Sequence, residues 1–89
     1  MFYAYVLKSV HHDYYYKGHC ENMEIRLKEH NAGKTKSIIN KVPFEIIYYE
    51  TFQTREEAIN REKYFKTAAG RRVLKNKIGN IADRNNITL

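Results

Sequence analysis

The run FYAYVLKS (residues 2–9) constrains this chain most, because aromatic and branched residues occupy both alternating sets of its positions. A strand that is apolar on both faces needs cover on both faces, so the run predicts a central strand packed from above and below. HHD (residues 11–13) interrupts it, and YYYKG (residues 14–18) resumes extended structure as far as Gly18. Two such runs joined by a few polar residues predict a β-hairpin. Tyr3 and Tyr5 share one face of the first strand, and Tyr14 and Tyr16 share one face of the second. Where those faces coincide, two pairs of phenols meet on one side of the sheet.

The rest of the chain supplies cover for that hairpin. In NMEIRLKEHNAG, Asn22 is an N-cap and Asn31 with Gly33 is a stop; Met23, Leu27 and His30 form one stripe, with Arg26 at its edge. KTKSIINKVP reads as a basic loop ended by Pro43, and FEIIYYETF (residues 44–52) as a third strand. Thr54 and Glu57 make a capping box that opens a helix to about residue 66, with Ala58, Ile59, Phe65 and Ala69 as its apolar stripe. A short helix, RRVLKNKI, follows Gly70 and packs Val73, Leu74 and Ile78. The order β-β-α-β-α-α predicts an α+β fold, a small three-stranded, largely antiparallel sheet flanked by helices. One domain spans residues 1–78, and the polar residues 79–89 are expected to fray.

Hydrophobic content of 43% with 13% aromatic residues excludes wholesale disorder. Cys20 is the sole cysteine, which excludes a disulfide framework and a cysteine zinc site and suits a reducing interior. No run approaches the ~18 apolar residues of a membrane span, and the N-terminus lacks signal-peptide features; a soluble, cytoplasmic protein is expected. Sixteen Lys and Arg against ten Asp and Glu leave a net charge of +6, which favours a polyanionic partner. The excess is concentrated. Lys34, Lys36 and Lys41 share one stretch without an acid, and residues 61–77 hold seven basic residues and one acid, Glu62. A solvated surface or an acidic membrane is the alternative. No helix joins a basic face to a wide apolar one, so nucleic acid is the better match.

Glu62 lies three to four residues from Ala58, Ile59 and Phe65, in the middle of an apolar stripe. A carboxylate aimed there is costly unless a cation, a metal or several donors meet it. It either pairs with Arg26 or a lysine for structure alone, or holds a hard divalent cation such as magnesium. Arg26 and His30 stand one turn apart. Arg26 is either a surface residue packing its stem or a fork for phosphate, and His30 is either a core histidine or a site residue. His11, His12 and His19 are not spaced as zinc ligands. Phosphodiester hydrolysis needs a base, a cation and help for the leaving oxygen, and this inventory contains candidates for each.

Tyr3-Ala4-Tyr5, ten residues, then Tyr16-Lys17-Gly18 resembles the paired motif of the GIY-YIG nucleases. Arg26 falls ten residues after Tyr16, as that family's arginine does. RLKEHNAGK (residues 26–34) is similar to a run in its small stand-alone bacterial members, and EEAINREKYFK to their second helix. The chain is thus also similar to the N-terminal nuclease domain of the family's excision-repair branch. Tyr3 and Ala4 depart from the first motif, Lys17 replaces a branched apolar residue, and the closing asparagine of the excision-repair branch has no counterpart. The resemblance implies a Mg2+- or Mn2+-dependent endonuclease acting on DNA and leaving a 5′ phosphate and a 3′ hydroxyl. It implies Tyr5, Tyr16, Arg26, His30 and Glu62 as catalytic residues, with Glu62 as the metal ligand. Tyr5, mid-strand, is the favoured base. Candidate nucleic-acid contacts are Lys17, His19, Lys34, Lys36, Lys41, Lys63, Lys66, Arg71 and Arg72. Branched, flap or single-stranded DNA are the expected substrates, with a protein partner for targeting and a role in repair or recombination. The rival reading is a nucleic-acid-binding module of the same fold that cleaves weakly or not at all.

Overall fold

In a computed structural model the described residues are 1–85, with side-chain surroundings through Ile78. The chain runs β1 (Phe2–Ser9), β2 (Tyr15–Cys20), α1 (Met23–Asn31), a short 3-10 helix (Lys36–Lys41), β3 (Phe44–Phe52), α2 (Arg55–Phe65) and α3 (Ala68–Asn85). The strands form one antiparallel sheet in the order β2-β1-β3. This is the α+β arrangement implied by the order of elements. β1 is central because Ala4, Tyr5, Val6 and Leu7 are all buried and neither face tolerates water.

Two half-cores result. Ala4 and Val6 pack against Phe65 of α2 and Leu74 and Ile78 of α3. Tyr5 and Leu7 pack on the other face with Cys20, Ile38 and Phe44, joined by Tyr14, Tyr16, Met23 and Leu27. A register shift between Val6 and Leu7 on the β3 side turns Ile47 and Tyr48 toward the same half-core. That is the work of a bulge, where two residues oppose one. Arg61 pins α2 to β3: it bonds Glu50 at 2.7 Å and lies over the rings of Tyr64 and Phe65.

Several boundaries differ from the sequence expectation. β2 starts at Tyr15 and continues past Gly18 to Cys20, because Gly18 pairs with Tyr5 inside the ladder. The expected basic loop contains the 3-10 helix, which buries Ile38 as a plug over the Tyr5 face. Asn31 does more than end α1. Its side chain accepts from the Phe44 amide at 2.6 Å and donates to the Phe44 carbonyl at 3.1 Å, clamping α1 to the start of β3.

The largest difference is at the α2–α3 junction. α3 begins at Ala68, so Gly70 lies in its first turn, and Ala69 is an exposed residue of α3 outside the stripe of α2. Thr67 donates its hydroxyl to the Tyr64 carbonyl at 2.6 Å and accepts from the Gly70 amide at 3.0 Å. The corner is tight enough that a Cβ on Gly70 would stand 1.8 Å from the Tyr64 carbonyl oxygen. α3 runs on to Asn85; of the tail expected to fray, residues 86–89 lie outside the described residues.

Alanine normally strengthens a helix by about 1 kcal/mol over glycine. Gly70→Ala should do the reverse, costing on the order of 1–3 kcal/mol because the obstacle is backbone. Urea denaturation checks this, and a variant as stable as wild type would mean that the corner opens freely.

Candidate functional site

On the α1 face, the Tyr5 ring crosses over Gly18. A Cβ there would come within 2.5 Å of the phenol oxygen, so a glycine in β2 is what lets the ring pass. Beyond it, the Tyr5 hydroxyl meets His30 Nε2 at 2.9 Å, and His30 Nδ1 meets the Thr35 hydroxyl at 2.7 Å. A neutral imidazole has one donor and one acceptor nitrogen, so the ring either accepts from Tyr5 at Nε2 and donates to Thr35 from Nδ1, or donates to Tyr5 and accepts from Thr35. The Tyr16 ring stands edge-on to His30 at 4.9 Å and lies 6.4 Å from the Tyr5 ring.

His30 is fully buried; Tyr16 is only half-buried. Burial, helped by the nearby Arg26 charge, holds His30 below the usual histidine range, with Glu29 opposing weakly. Burial drives the Tyr5 phenol well above its ordinary value, and the Arg26 guanidinium beside it offsets only part of the rise. Arg26 remains over a third exposed and bonds Glu29 Oε1 at 3.2 Å. Tyr5, Tyr16, Arg26 and His30 therefore form one group, a closed polar chain beneath a half-exposed phenol and guanidinium.

Glu62 is not part of that group. It approaches from α2 on the opposite face of the sheet, where His19 of β2 points. His19 Nδ1 lies 2.7 Å from Glu62 Oε1, and Lys66 Nζ lies 2.7 Å from Oε2. Burial works to raise the Glu62 pKa, but Lys66 and His19 outweigh it and hold the carboxyl below the usual range. Pairing with Arg26 is thus excluded, since Arg26 lies on the other side of the sheet and bonds Glu29 of its own helix; the structural partners are a lysine and a histidine. Among the described residues no three His, Cys, Asp or Glu side chains gather as a metal cluster. A divalent cation at Glu62 would have one protein carboxylate. Each oxygen of that ionised group keeps a free lone pair, and Lys66 is exposed enough to move, so the donor set fits a hard cation that retains its waters.

The remaining candidates scatter. Lys17 shares the Glu62 face with His19 and lies near Lys66 and Arg71. Lys34, Lys36, Lys63 and Arg72 are exposed, and Lys41 sits 5.7 Å from the centre of the Tyr14 ring. Sequence reasoning missed Thr35, which sets the His30 ring, and had no signal for it beyond nearness to His30. No helix among the described residues is long and apolar enough to cross a membrane.

Residues 1–77 match the GIY-YIG catalytic domain. A UPF0213 protein of Staphylococcus haemolyticus is 35% identical over 74 residues, covering 82% of this chain and 89% of that protein. One from Streptococcus pyogenes is 38% identical over 65 residues, covering 72% and 70%. A third, from Bacillus licheniformis, is 44% identical over 52 residues, and the match spans about half of its length (54%). No solved structure matches. The domain match takes in all three strands, α1, α2 and α3 as far as residue 77, and so covers both the phenols over Gly18 and Glu62: the chain belongs to the GIY-YIG family of nuclease domains.

Proposed function

We propose that this chain is a magnesium- or manganese-dependent endonuclease that hydrolyses DNA phosphodiester bonds. The observation that carries this reading is the closed Tyr5–His30–Thr35 chain under the half-exposed Tyr16 and Arg26. A buried polar chain of this kind is costly to assemble and rigid once every member is satisfied. It fixes the Tyr16 phenol and the Arg26 guanidinium where a phosphodiester can reach them. Arg26 stabilises the charge that gathers on the phosphoryl oxygens. Tyr16 takes the base role, by holding or deprotonating the attacking water. A mid-strand position favours Tyr5 on sequence alone, but its burial opposes the phenolate. Tyr5 and His30 instead support the wall against which Tyr16 stands. Glu62 would hold the cation, with His19 steadying Oε1. A cation held there would supply positive charge to a phosphodiester lying at the β2 edge.

One observation favours the rival reading, a binding module without cleavage: both Glu62 oxygens already have side-chain partners, His19 and Lys66. Incubating the protein with duplex, flap, branched and single-stranded DNA, with and without magnesium, separates the two. Cleavage of any of these that EDTA abolishes supports the nuclease, and preference for branched or flap DNA would support a role in repair or recombination. Binding without cleavage across the panel supports the module.

Glu62→Gln should remove metal-dependent cleavage while leaving circular dichroism and DNA affinity near wild type, because the amide keeps the shape and loses the charge. Full activity in this variant would exclude Glu62 as the ligand.

The two phenols should separate in a pH profile. Tyr16→Phe should lose both activity and the rise in rate with pH that marks a deprotonating base. Tyr5→Phe should keep that rise but lose about 1–3 kcal/mol of stability, because His30 Nε2 is left buried without its hydrogen-bond partner. The opposite assignment of the two profiles would restore Tyr5 as base.

His30 also predicts an acid limit to stability. The unfolded chain accepts a proton near the ordinary value of about 6.5. The folded chain resists it, since burial and Arg26 lower the pKa. The His30 contribution is therefore complete above about pH 6.5 and lost as pH falls through the lowered folded value. The wild-type melting temperature should drop as pH falls below about 6.5, and His30→Gln should flatten that slope. A slope unchanged in His30→Gln would place the acid sensitivity elsewhere.

A further inference from the structure

The face of β2 opposite Tyr16 carries cations that the fold leaves short of anions. Lys17 and His19 are two residues apart on the strand, so their side chains leave the same face about 7 Å apart. His19 is taken by Glu62. The Lys17 amino group is half-buried, and among the described residues no carboxylate or carbonyl accepts from it. Its neighbours are Arg71, in the first turn of α3, and Lys66, just past the end of α2, both positively charged. Burial first, then these two like charges, hold its amine below the usual lysine range. Glu62 is the acid placed beside the group, and its two oxygens already receive His19 and Lys66.

A half-buried cation facing two others is unfavourable in the free protein. An incoming phosphate relieves this, since it brings negative charge and several acceptor oxygens to donors already gathered. β2 is an edge strand, so both of its faces can be reached from one side of the molecule.

We propose that Lys17, Lys66 and Arg71 form a phosphate-binding subsite for the nucleic-acid backbone, across β2 from the group of Tyr5, Tyr16, Arg26 and His30. The choice of nucleic acid rests on the nuclease reading; the cation cluster does not. A bound strand straddles the free edge of β2, with one backbone phosphate against Tyr16 and Arg26 and a neighbouring one against Lys17. The shared chemistry is a phosphate group, which a free phosphate compound also presents.

Lys17→Met keeps the aliphatic stem and removes the charge; Lys17→Arg keeps the charge. Binding of a short labelled duplex is measured by anisotropy across a salt series in EDTA, where metal-dependent cleavage is silent. The slope of log affinity against log salt should fall in magnitude by about 0.9 in Lys17→Met, by a similar amount in Arg71→Gln, and stay at the wild-type value in Lys17→Arg. Lys17→Met should melt no lower than wild type, because a repulsion is removed, and this separates the effect from misfolding. An unchanged slope in Lys17→Met would overturn the subsite. If Lys17→Met weakens inorganic phosphate binding but leaves duplex binding intact, a free phosphate is the ligand and the nucleic-acid assignment falls. Lys17-dependent duplex binding by a wild-type protein that never cleaves with magnesium would sink the nuclease reading and leave the subsite standing.

Discussion

β1 can exist only if both of its faces are sealed and both of its edges are paired, and the rest of the molecule is arranged to meet those demands. β2 and β3 take the edges, α2 and α3 close over Ala4 and Val6, and α1 with the 3-10 helix closes over Tyr5 and Leu7. A slip of one residue would exchange the two faces, sending the Tyr5 phenol into an apolar half-core and Val6 toward His30. The register is therefore held by burial on both sides at once. Tyr5 inherits that rigidity, which is why its hydroxyl can be aimed over Gly18 at a single ring nitrogen.

The same demand divides the chemistry. Residues that alternate along β2 go to opposite faces, so Tyr16 joins the phenol–histidine group while Lys17 and His19 turn toward α2 and α3. Dry surroundings act differently on the two sides. Around His30 they favour neutral, fully paired groups. Around Glu62 burial alone would favour the neutral acid, and hydrogen bonds from Lys66 and His19 reverse the outcome. β2 is an edge strand and carries members of both sets on its two faces.

Much of this is legible in the chain. The bounds of β1 and β3 follow from apolar residues on both alternating faces, and the capping box at Thr54 and Glu57 marks the start of α2. Gly70 misleads because glycine usually breaks a helix; here it is a clearance for the Tyr64 carbonyl, a contact between two elements. Extending the α2 stripe to Ala69 carries a period across a corner that no period records. Glu62 stands out as a carboxylate on an apolar stripe, yet its partner His19 lies 43 residues away, and helical spacing favours no distant partner over another. Tyr5 is favoured as base by a mid-strand position that fixes it, and only packing reveals how deeply it is closed in.

The sequence by itself determined the three strands and the order of the α-helices between and after them, the surplus of positive charge and the motif residues, because periodicity, caps and composition are local properties of a chain. Tertiary structure decided what those residues meet: His30 closing on Tyr5, Glu62 lodged between His19 and Lys66, Lys17 left among cations. Those pairings depend on register between strands and on which helix covers which face. Both are set by burial summed over the whole sheet, a quantity that no single stretch of the chain contains.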